Sequence, residues 1–550
     1  MSDETEAGDA PPNPATDPAD AAVARSAVAA GSASLFVGLL GLVPFAWVLP
    51  LLPMTRDATI WVDRSSWQHP KLHEWLVDTQ HFNVGFRPVT GLSYLLNDLA
   101  GGGLLAYRIT DFGLHLAVVL LVHGLVRSWA PRRTPWAATA AAAVVALHPM
   151  VGIVVPHLAR RGYSLASALA LLGLWLLSRN HLAATTVAIA CLGAGALANE
   201  AAYVAFGVAT LLLAARKRWV ELVAVGGGLA FLLAWRVSVI GGLGGYAVAT
   251  DRAGKVGTIA LATWSTLLPA GLSTGTSVLP GMGFVAVSVA VLGALVAATA
   301  AIVRTPSSEP TTPAFNRPEL WALAWLAGLT LVYVPNGVWF PRQVYMLLPP
   351  LAVLVGLLVG HGAVTGGAPH RWLARGAAGA VLLLTLIRAP YVQDDQQRVS
   401  WQQTDRVTRD LMRSGRGLPK GQEAVVVLPF ARRGGQAALK AREGAQRRRQ
   451  DPLGTRVSHQ WAARRVGRRK IDLAAMYLHD PFHDGPEVTV EPVVGQPGTW
   501  RLTLTQSGSQ WSVGSDLQGM VDGATLTLTV PDGAVLYVDD GDEGRVLSSD

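Results

Sequence analysis

FRPVT at residues 86–90 and YRITD at residues 107–111 decide how this sequence folds. Proline suits the first turn of a helix, because its missing N–H is not needed there, so Pro88 predicts a helix start. The predicted helix, 88–99, is amphipathic and too short to cross a bilayer, which places it along the membrane surface. The second stretch opens a long apolar run. Together the two stretches predict a surface helix that leads into a transmembrane helix.

The composition is that of a membrane protein. The 550-residue chain is 51% hydrophobic and only 15% charged, with a mean hydropathy of +0.34, whereas soluble domains carry about 25% charged residues. Residues 31–390 hold repeated apolar runs of roughly 17–23 residues, which match a ~30 Å hydrocarbon core. Backbone groups in lipid need internal partners, so these runs are predicted helices. The single cysteine, Cys191, excludes an intrachain disulfide.

These runs predict about eleven transmembrane helices. The predicted spans are 33–53, 105–127, 136–155, 163–178, 182–198, 201–215, 219–240, 283–303, 319–336, 343–361 and 374–390. Segment 257–274 contains Pro269 and several Gly and Thr, so it either spans the membrane or lies in it as an interfacial or re-entrant segment. The first 30 residues, 1–30, are rich in Ala, Pro, Asp and Glu and are predicted to be a disordered tail.

Loop charges orient these helices by the positive-inside rule. The loops expected in the cytoplasm carry Arg127, Arg132, Arg133, Arg216, Lys217, Arg218, Arg371 and Arg375. With the N-terminus inside and 257–274 not spanning, loop 54–104 and the region after residue 391 are extracytoplasmic. If segment 257–274 does span the membrane, the later helices have the opposite orientation in it. The expected location is the inner, or plasma, membrane.

The region after the last span is predicted to form two parts. Residues 391–480 form a polar, basic and mainly helical segment with a strand at 424–428, and carry thirteen Lys and Arg against two acids between 432 and 470. Residues 481–550 alternate apolar and polar side chains between turn signals, which predicts a strand-rich module. The expected fold class is therefore an all-α polytopic membrane bundle with a C-terminal α/β or mostly-β soluble module.

Residues able to carry chemistry follow in a definite order. They are Asp57 and Asp63 in the first loop, Arg87, Asp111 with His115, His148-Pro149 and then Arg161, Asn199-Glu200, and Arg342 with Tyr345. This order resembles the GT-C membrane glycosyltransferases, in particular bacterial relatives of the transmembrane tetratricopeptide O-mannosyltransferases and the RgtA/B/C/D-like and ArnT-like enzymes. The resemblance covers about half the chain. It implies a helical bundle with an external active site that uses a polyprenyl-phosphate sugar.

The resemblance implies a catalytic base in the first external loop. An inverting glycosyl transfer needs a base that takes the proton of the acceptor hydroxyl, and a carboxylate commonly serves. The family has an acidic pair where this chain has Val62-Asp63. Asp63 is the expected base, with Asp57 as the substitute candidate, and the alternative is that both are ordinary loop acids.

Several residues are expected to bind substrate. Arg87, Arg161 and Arg342 suit a phosphate or pyrophosphate, because a guanidinium can pair bidentately with such groups. Tyr345 and His148 belong to family motifs beside them. For each arginine, the alternative is an anchor at the membrane interface.

Three further acidic or basic groups have structural alternatives. Glu200 either pairs with an arginine, for which Arg161 and Arg236 are candidates, or assists acid–base chemistry. Asp111 and His115 are four residues apart and share a helix face, so we expect a polar pair that packs the bundle.

The expected function is an integral membrane glycosyltransferase, an inverting hexosyltransferase. It would move a sugar from a polyprenyl-phosphate donor to a lipid, glycan or protein acceptor on the external face. No cofactor is expected, a metal requirement stays open, and membrane lipids but no nucleic acid are expected partners. Two alternatives are an inactive membrane scaffold with an extracytoplasmic binding module and a transporter or flippase. The second is disfavoured because no internal repeat is present.

Overall fold

The computed structural model describes most of seven ranges in the helical part: 18–51, 87–131, 135–240, 282–304, 317–333, 341–361 and 370–388. It also describes parts of 259–268, residues 405 and 409, and nine strands between 423 and 547. The expected catalytic acids, Asp57 and Asp63, lie outside the described residues, as does the basic segment 432–470.

Thirteen α-helices lie within the described ranges. They are α1 (Pro18–Leu42), α2 (Pro88–Leu99), α3 (Gly103–Trp129), α4 (Pro135–Leu147), α5 (Met150–Val154), α6 (Arg161–Leu177), α7 (Leu182–Ala198), α8 (Ala202–Ala215), α9 (Trp219–Ile240), α10 (Met282–Arg304), α11 (Pro318–Tyr333), α12 (Val344–His361) and α13 (His370–Arg388). Short 3₁₀ turns cover Val43–Val48, Leu158–Arg160 and Pro341–Gln343.

Most helix ends agree with the predicted spans, and two differ. The single span predicted over 136–155 is divided into α4 and α5 at His148, because the residue before a proline is disfavoured in helical conformation. Helix α1 begins at Pro18, inside the tail predicted to be disordered, because the alanine-rich sequence there favours helix and extends the apolar run.

The chain is an integral membrane protein. Three helical segments are long and apolar enough to cross a membrane: Arg25–Val48, Gly103–Trp129 and Trp219–Ile240. Seven further apolar helices in the described residues are shorter. Helix α9 exposes Trp219, Val223 and Phe231, as a lipid-facing helix does. The total of eleven spans and the orientation of the chain stay predictions.

Small residues let the central helices approach closely. Gly356 of α12 faces α4, where an added Cβ would lie 2.8 Å from both the carbonyl oxygen of Ala137 and the Cβ of Ala141. Close backbone approach through Gly and Ala is the usual packing of transmembrane helices, since lipid gives no hydrophobic drive for their association.

Helix α2 lies where Pro88 predicted it and packs one face on the bundle. Its buried residues are Pro88, Thr90, Gly91 and Tyr94. Thr90 Oγ1 donates to the carbonyl oxygen of Ala198 at 2.8 Å, and Tyr94 donates to that of Leu158. These bonds fix α2 across one end of the bundle, which we call the α2 end.

The C-terminal region contains two sheets. Its strands are β1 (Glu423–Ala431), β2 (Ile471–His479), β3 (Val488–Pro492), β4 (Thr499–Leu504), β5 (Trp511–Val513), β6 (Gly519–Asp522), β7 (Thr525–Thr529), β8 (Ala534–Asp539) and β9 (Gly544–Leu547). A mixed sheet has the order β5-β2-β1-β8-β9, in which β1 is parallel to β2 and β8. An antiparallel sheet has the order β3-β4-β7-β6.

The two sheets share one hydrophobic core, to which Val427, Leu502, Leu526 and Leu536 contribute. Strand β1 contains the strand predicted at 424–428, whereas β2 lies in the segment predicted to be mainly helical. The predicted boundary at residue 480 stays a prediction. Alternation in the sequence revealed single strands, but parallel pairing joins strands that are distant along the chain.

Candidate functional site

Arg161, at the start of α6, is the centre of a buried network at the α2 end. Its Nε donates to Asp111 Oδ1 at 2.5 Å, and its Nη1 donates to Asn97 Oδ1 at 2.6 Å and to the carbonyl oxygen of Ser93 at 3.1 Å. Nη2 donates to the carbonyl oxygen of Tyr107 at 2.8 Å. Four of its five N–H groups are thus engaged, and the residue is 1% exposed. Arg161 thus joins α2, α3 and α6, and its predicted role in anion binding stays a prediction.

Two tyrosines enclose this arginine. The Cζ of Arg161 lies 4.2 Å from the ring centroid of Tyr94 and 5.4 Å from that of Tyr107. Burial raises the pKa of the Tyr94 hydroxyl, so it stays protonated and donates to Leu158. A desolvated guanidinium over aromatic faces is a favourable cation–π contact, which makes this part of the α2 end rigid.

Arg87 and Glu200 form a bidentate ion pair at the same end. Arg87 Nε lies 2.9 Å from Glu200 Oε2, and Nη2 lies 2.7 Å from Oε1. Burial raises the pKa of Glu200, but the charge and hydrogen bonds of Arg87 outweigh it and lower the pKa to about 2. Pairing was expected with Arg161 or Arg236, so the partner is corrected. Arg236 contributes only its nearby charge.

His148 is buried inside the bundle, where two hydrogen bonds hold its ring. The backbone N–H of Met150 donates to its Nδ1 at 3.1 Å, so Nε2 carries the proton and donates to the carbonyl oxygen of Leu267 at 2.9 Å. Both ring nitrogens are therefore used by the protein. His148 thus supports the α4–α5 break, and its predicted role in substrate binding stays a prediction.

Tyr345 is also an interior residue. Its hydroxyl lies 2.8 Å from His115 Nδ1, and neither side chain is exposed. The ring is enclosed by helices, and the predicted contact of Tyr345 with substrate stays a prediction. His115 and Asp111 do not pair with each other as predicted, because each bonds a different helix.

The charges of Arg160, Arg108 and Arg342 act on His157, and we call these three residues the arginine cluster. Arg108 donates to a carbonyl oxygen of the 153–156 turn, and so does Arg160. Burial, followed by the charges of Arg160, Arg108 and Arg342, holds the pKa of His157 well below its ordinary value. The imidazole is therefore neutral, and the positive charge resides on the guanidinium groups. Arg160 and Arg342 are half-buried, so the cluster is reachable from solvent.

Two residues beyond the last helix, Asp405 and Arg409, form an ion pair that reaches the end of the first helical segment. Asp405 Oδ2 accepts a hydrogen bond from Arg409 Nε at 2.9 Å, and Arg409 Nη2 donates to the carbonyl oxygen of Pro50 at 2.7 Å. The charge of Asp405 acts on Arg108. Among the described residues, no group of three or more His, Cys, Asp or Glu is placed to hold a metal ion.

Sequence reasoning missed Arg108, His157 and Asp405. Arg108 lies within the YRITD stretch, and Pro156-His157 directly precedes Arg160, so both arginines and the histidine carried a usable signal. Asp405 carried none, because its position depends on how the chain returns to the bundle.

The fold and the site define a membrane protein with an arginine-rich site at one end of a helical bundle. No family model matches the chain, and no curated protein sequence matches it. The structure is similar to ArnT from Cupriavidus metallidurans in the apo state, with 15% identity, coverage of 71% of this chain and 81% of that chain, and a TM-score of 0.42.

Two further structures are similar. ArnT bound to undecaprenyl phosphate shows 14% identity over 73% of this chain and 82% of that chain, with a TM-score of 0.40. The Archaeoglobus fulgidus oligosaccharyltransferase tethered with an acceptor peptide shows 12% identity over 83% of this chain and 68% of that chain, with a TM-score of 0.38. ArnT-like enzymes are among those that the sequence resembles.

Proposed function

We propose that the chain is a membrane glycosyltransferase that moves a sugar from a polyprenyl-phosphate donor to a lipid, glycan or protein acceptor. The arginine cluster is the observation that carries this proposal. When the sugar leaves its carrier, negative charge develops on the phosphate, and fixed cationic donors in a partly dehydrated site stabilise that charge. Three guanidiniums whose charges act on a neutral His157 provide such donors.

The position of the cluster suits a lipid-linked donor. A polyprenyl chain is hydrocarbon and stays in the bilayer, while its phosphate needs a polar site at the membrane surface. Arg342 and Arg160 are half-buried at the end of an apolar bundle, where side chains of this kind reach the headgroup region. We assign the carrier phosphate to Arg342, as the sequence motif suggested, with Arg160 and Arg108 beside it.

The base belongs to the loop between α1 and α2 in this proposal. Asp63, with Asp57 as the substitute, would take the proton of the acceptor hydroxyl while the hydroxyl oxygen bonds the sugar carbon and the phosphate leaves. The loop ends at Arg87, which Glu200 holds in place. The ion pair would thus fix one end of the catalytic loop without touching the sugar.

Transfer can be tested with the purified chain in lipid nanodiscs. Radiolabelled polyprenyl-phosphate sugars are incubated with the protein and an acceptor membrane extract, and transferred label is counted. Arg342→Gln should lower transfer at least tenfold and Arg342→Lys less, because lysine keeps the charge but not the bidentate fork. Arg218→Gln is the matched control, since Arg218 pairs with Glu221 between α8 and α9. Equal transfer by all three variants and wild type would exclude the assignment.

A non-catalytic scaffold is the second candidate. It is favoured by one observation: Arg161 and Glu200, both expected at the substrate, are held in ion pairs. Surface and lipid-linked glycans of a deletion strain separate the two functions. If wild type restores a missing sugar and Asp63→Asn does not, at equal membrane levels, the chain is a transferase. If no sugar is missing in the deletion strain, the scaffold is supported.

A further inference from the structure

Two turns at the end of the bundle opposite the α2 end are rich in cationic side chains, and we call them the basic turns. One lies between α6 and α7 and carries Arg179, and the other lies between α8 and α9 and carries Arg216, Lys217 and Arg218. We propose that the basic turns together bind the headgroup of an anionic phospholipid. This inference goes beyond the proposed function and does not depend on it.

The basic turns are far from the arginine cluster. Helix α6 begins at Arg161 at the α2 end, and α8 begins just after Glu200, which pairs with Arg87 at that end. Helices α6 and α8 have 17 and 14 residues, so each carries the chain roughly 20–25 Å away from the α2 end. An anion at the basic turns is therefore a different ligand from the carrier phosphate assigned to Arg342.

Arg218 joins the two basic turns. Its Nη1 donates to the carbonyl oxygen of Leu177, the last residue of α6, at 2.7 Å. Its Nε and Nη2 donate to Glu221 Oε1 at 3.0 and 2.9 Å. The backbone of Lys217 is left-handed, with a φ of 56°, which ends α8 and directs the chain into this turn. Since Arg179 follows Leu177 by two residues, these bonds hold the cations of both turns side by side.

The remaining cations lack an acidic partner. In the part of the chain that the structure describes, Glu221 is the acid that pairs at these turns, and Arg218 already uses it. Arg216 is half-buried, while Lys217 and Arg179 are exposed. Like charges that are close together and partly shielded from water favour a bound anion, and guanidiniums pair well with phosphate.

An apolar surface next to the basic turns favours a lipid over a soluble anion. Val220, Val223 and Phe231 are exposed, and their spacing places them on one face of α9. Trp219 is exposed at the start of this face, as tryptophan often is at a membrane interface. The face suits an acyl chain, and the basic turns at its end suit the phosphate, because cations just outside a membrane helix attract anionic lipids.

Lipid binding to the full chain in detergent tests the inference. Native mass spectrometry gives the Kd of the first bound phosphatidylglycerol and of phosphatidylcholine with the same acyl chains, whose headgroup has no net charge. Wild type should bind phosphatidylglycerol at least tenfold more tightly. Arg216→Gln should reduce this preference about fivefold, the contribution of one cation near an anionic headgroup. A higher ammonium acetate concentration should also reduce it.

Three further variants make the test specific, each with a melting temperature in lipid-free detergent equal to that of wild type. Arg179→Gln removes a cation from the other basic turn and should reduce the preference by a similar factor. Arg501→Gln is the matched control, because it removes the same charge from an exposed position of β4, and it should leave the preference unchanged. Arg342→Gln tests the arginine cluster as an alternative location and should also leave it unchanged.

Four results would overturn the inference. Wild type that binds the two phospholipids equally well has no anionic headgroup site. An effect of Arg501→Gln as large as that of Arg216→Gln means that net charge alone attracts the lipid. An effect of Arg342→Gln without any effect of Arg216→Gln or Arg179→Gln places the lipid at the α2 end. Binding of soluble glycerol phosphate as tight as that of phosphatidylglycerol means that the ligand is not a lipid. These results do not bear on sugar transfer, which is measured separately.

Discussion

Arg161 Nε and Asp111 Oδ1 lie 2.5 Å apart, and both side chains are shielded from solvent. The pair joins α6 to α3, and the other bonds of Arg161 reach α2. A buried pair of this kind is costly to break, because the remaining charge has no water to solvate it. This buried ion pair therefore holds three helices together at the α2 end of the bundle.

Removing one partner of the Arg161–Asp111 pair should strongly destabilise the protein. Arg161→Met leaves Asp111 buried and uncompensated, so we expect a loss of about 3–5 kcal/mol in the free energy of unfolding. The double variant Arg161→Met/Asp111→Leu should recover part of this loss. Thermal unfolding of the three variants and wild type in one detergent provides the comparison. A double variant less stable than both single variants would contradict this account.

The hydrogen bond between Tyr345 and His115 should show coupling. Tyr345→Phe leaves His115 Nδ1 without this partner and should cost about 1–3 kcal/mol of stability. His115→Phe should cost a similar amount. The double variant should cost less than the sum, because both polar groups are then gone. If the losses in unfolding free energy, measured in detergent, are additive, the contact between the two side chains contributes nothing to stability.

The Arg87–Glu200 pair predicts a definite pH dependence. The pKa of Glu200 is about 2, below its ordinary 4.5, so the pair's stabilisation is complete above the ordinary value and is lost as pH falls through about 2. The stability difference between wild type and Glu200→Gln should stay constant from pH 7 to pH 5. It should shrink only at lower pH. Shrinkage between pH 7 and pH 5 in unfolding experiments would refute the depressed pKa.

Two helix glycines should respond in opposite ways to alanine. Gly356→Ala pushes a Cβ against α4 and should cost about 1–3 kcal/mol, as overpacking does. Gly113→Ala meets nothing within 4 Å and should change stability by no more than about 1 kcal/mol, in the favourable direction, because alanine favours helix. Unfolding midpoints of the two variants decide the matter. Equal losses in the two variants would mean that the α4–α12 contact does not set the effect of Gly356→Ala.

The sequence was sufficient for the helices and insufficient for their polar contacts. Apolar run length located most helix ends, and Pro88 located α2, because both depend on local chemistry. The partner of Glu200 depends on how helices pack, and Arg87 lies 113 residues away along the chain. Motif order named Arg161 and Tyr345, but it could not show that the bundle encloses both.

The C-terminal sheets show the same limit. Alternation predicted β3, β4, β7 and β8, whose patterns are local. Strand β2 was missed, since it gains its place from parallel pairing with β1.

The parallel pairing of β1 with β8 has a consequence for how the protein is made. Strand β1 is synthesised early in the C-terminal region, yet one of its two neighbours lies close to the last residue of the chain. Until that neighbour has left the ribosome, one edge of β1 has no strand to pair with. Maturation of this module must therefore wait until β8 has been made, and a message truncated just before β8 would yield a bundle carrying a sheet with an open edge.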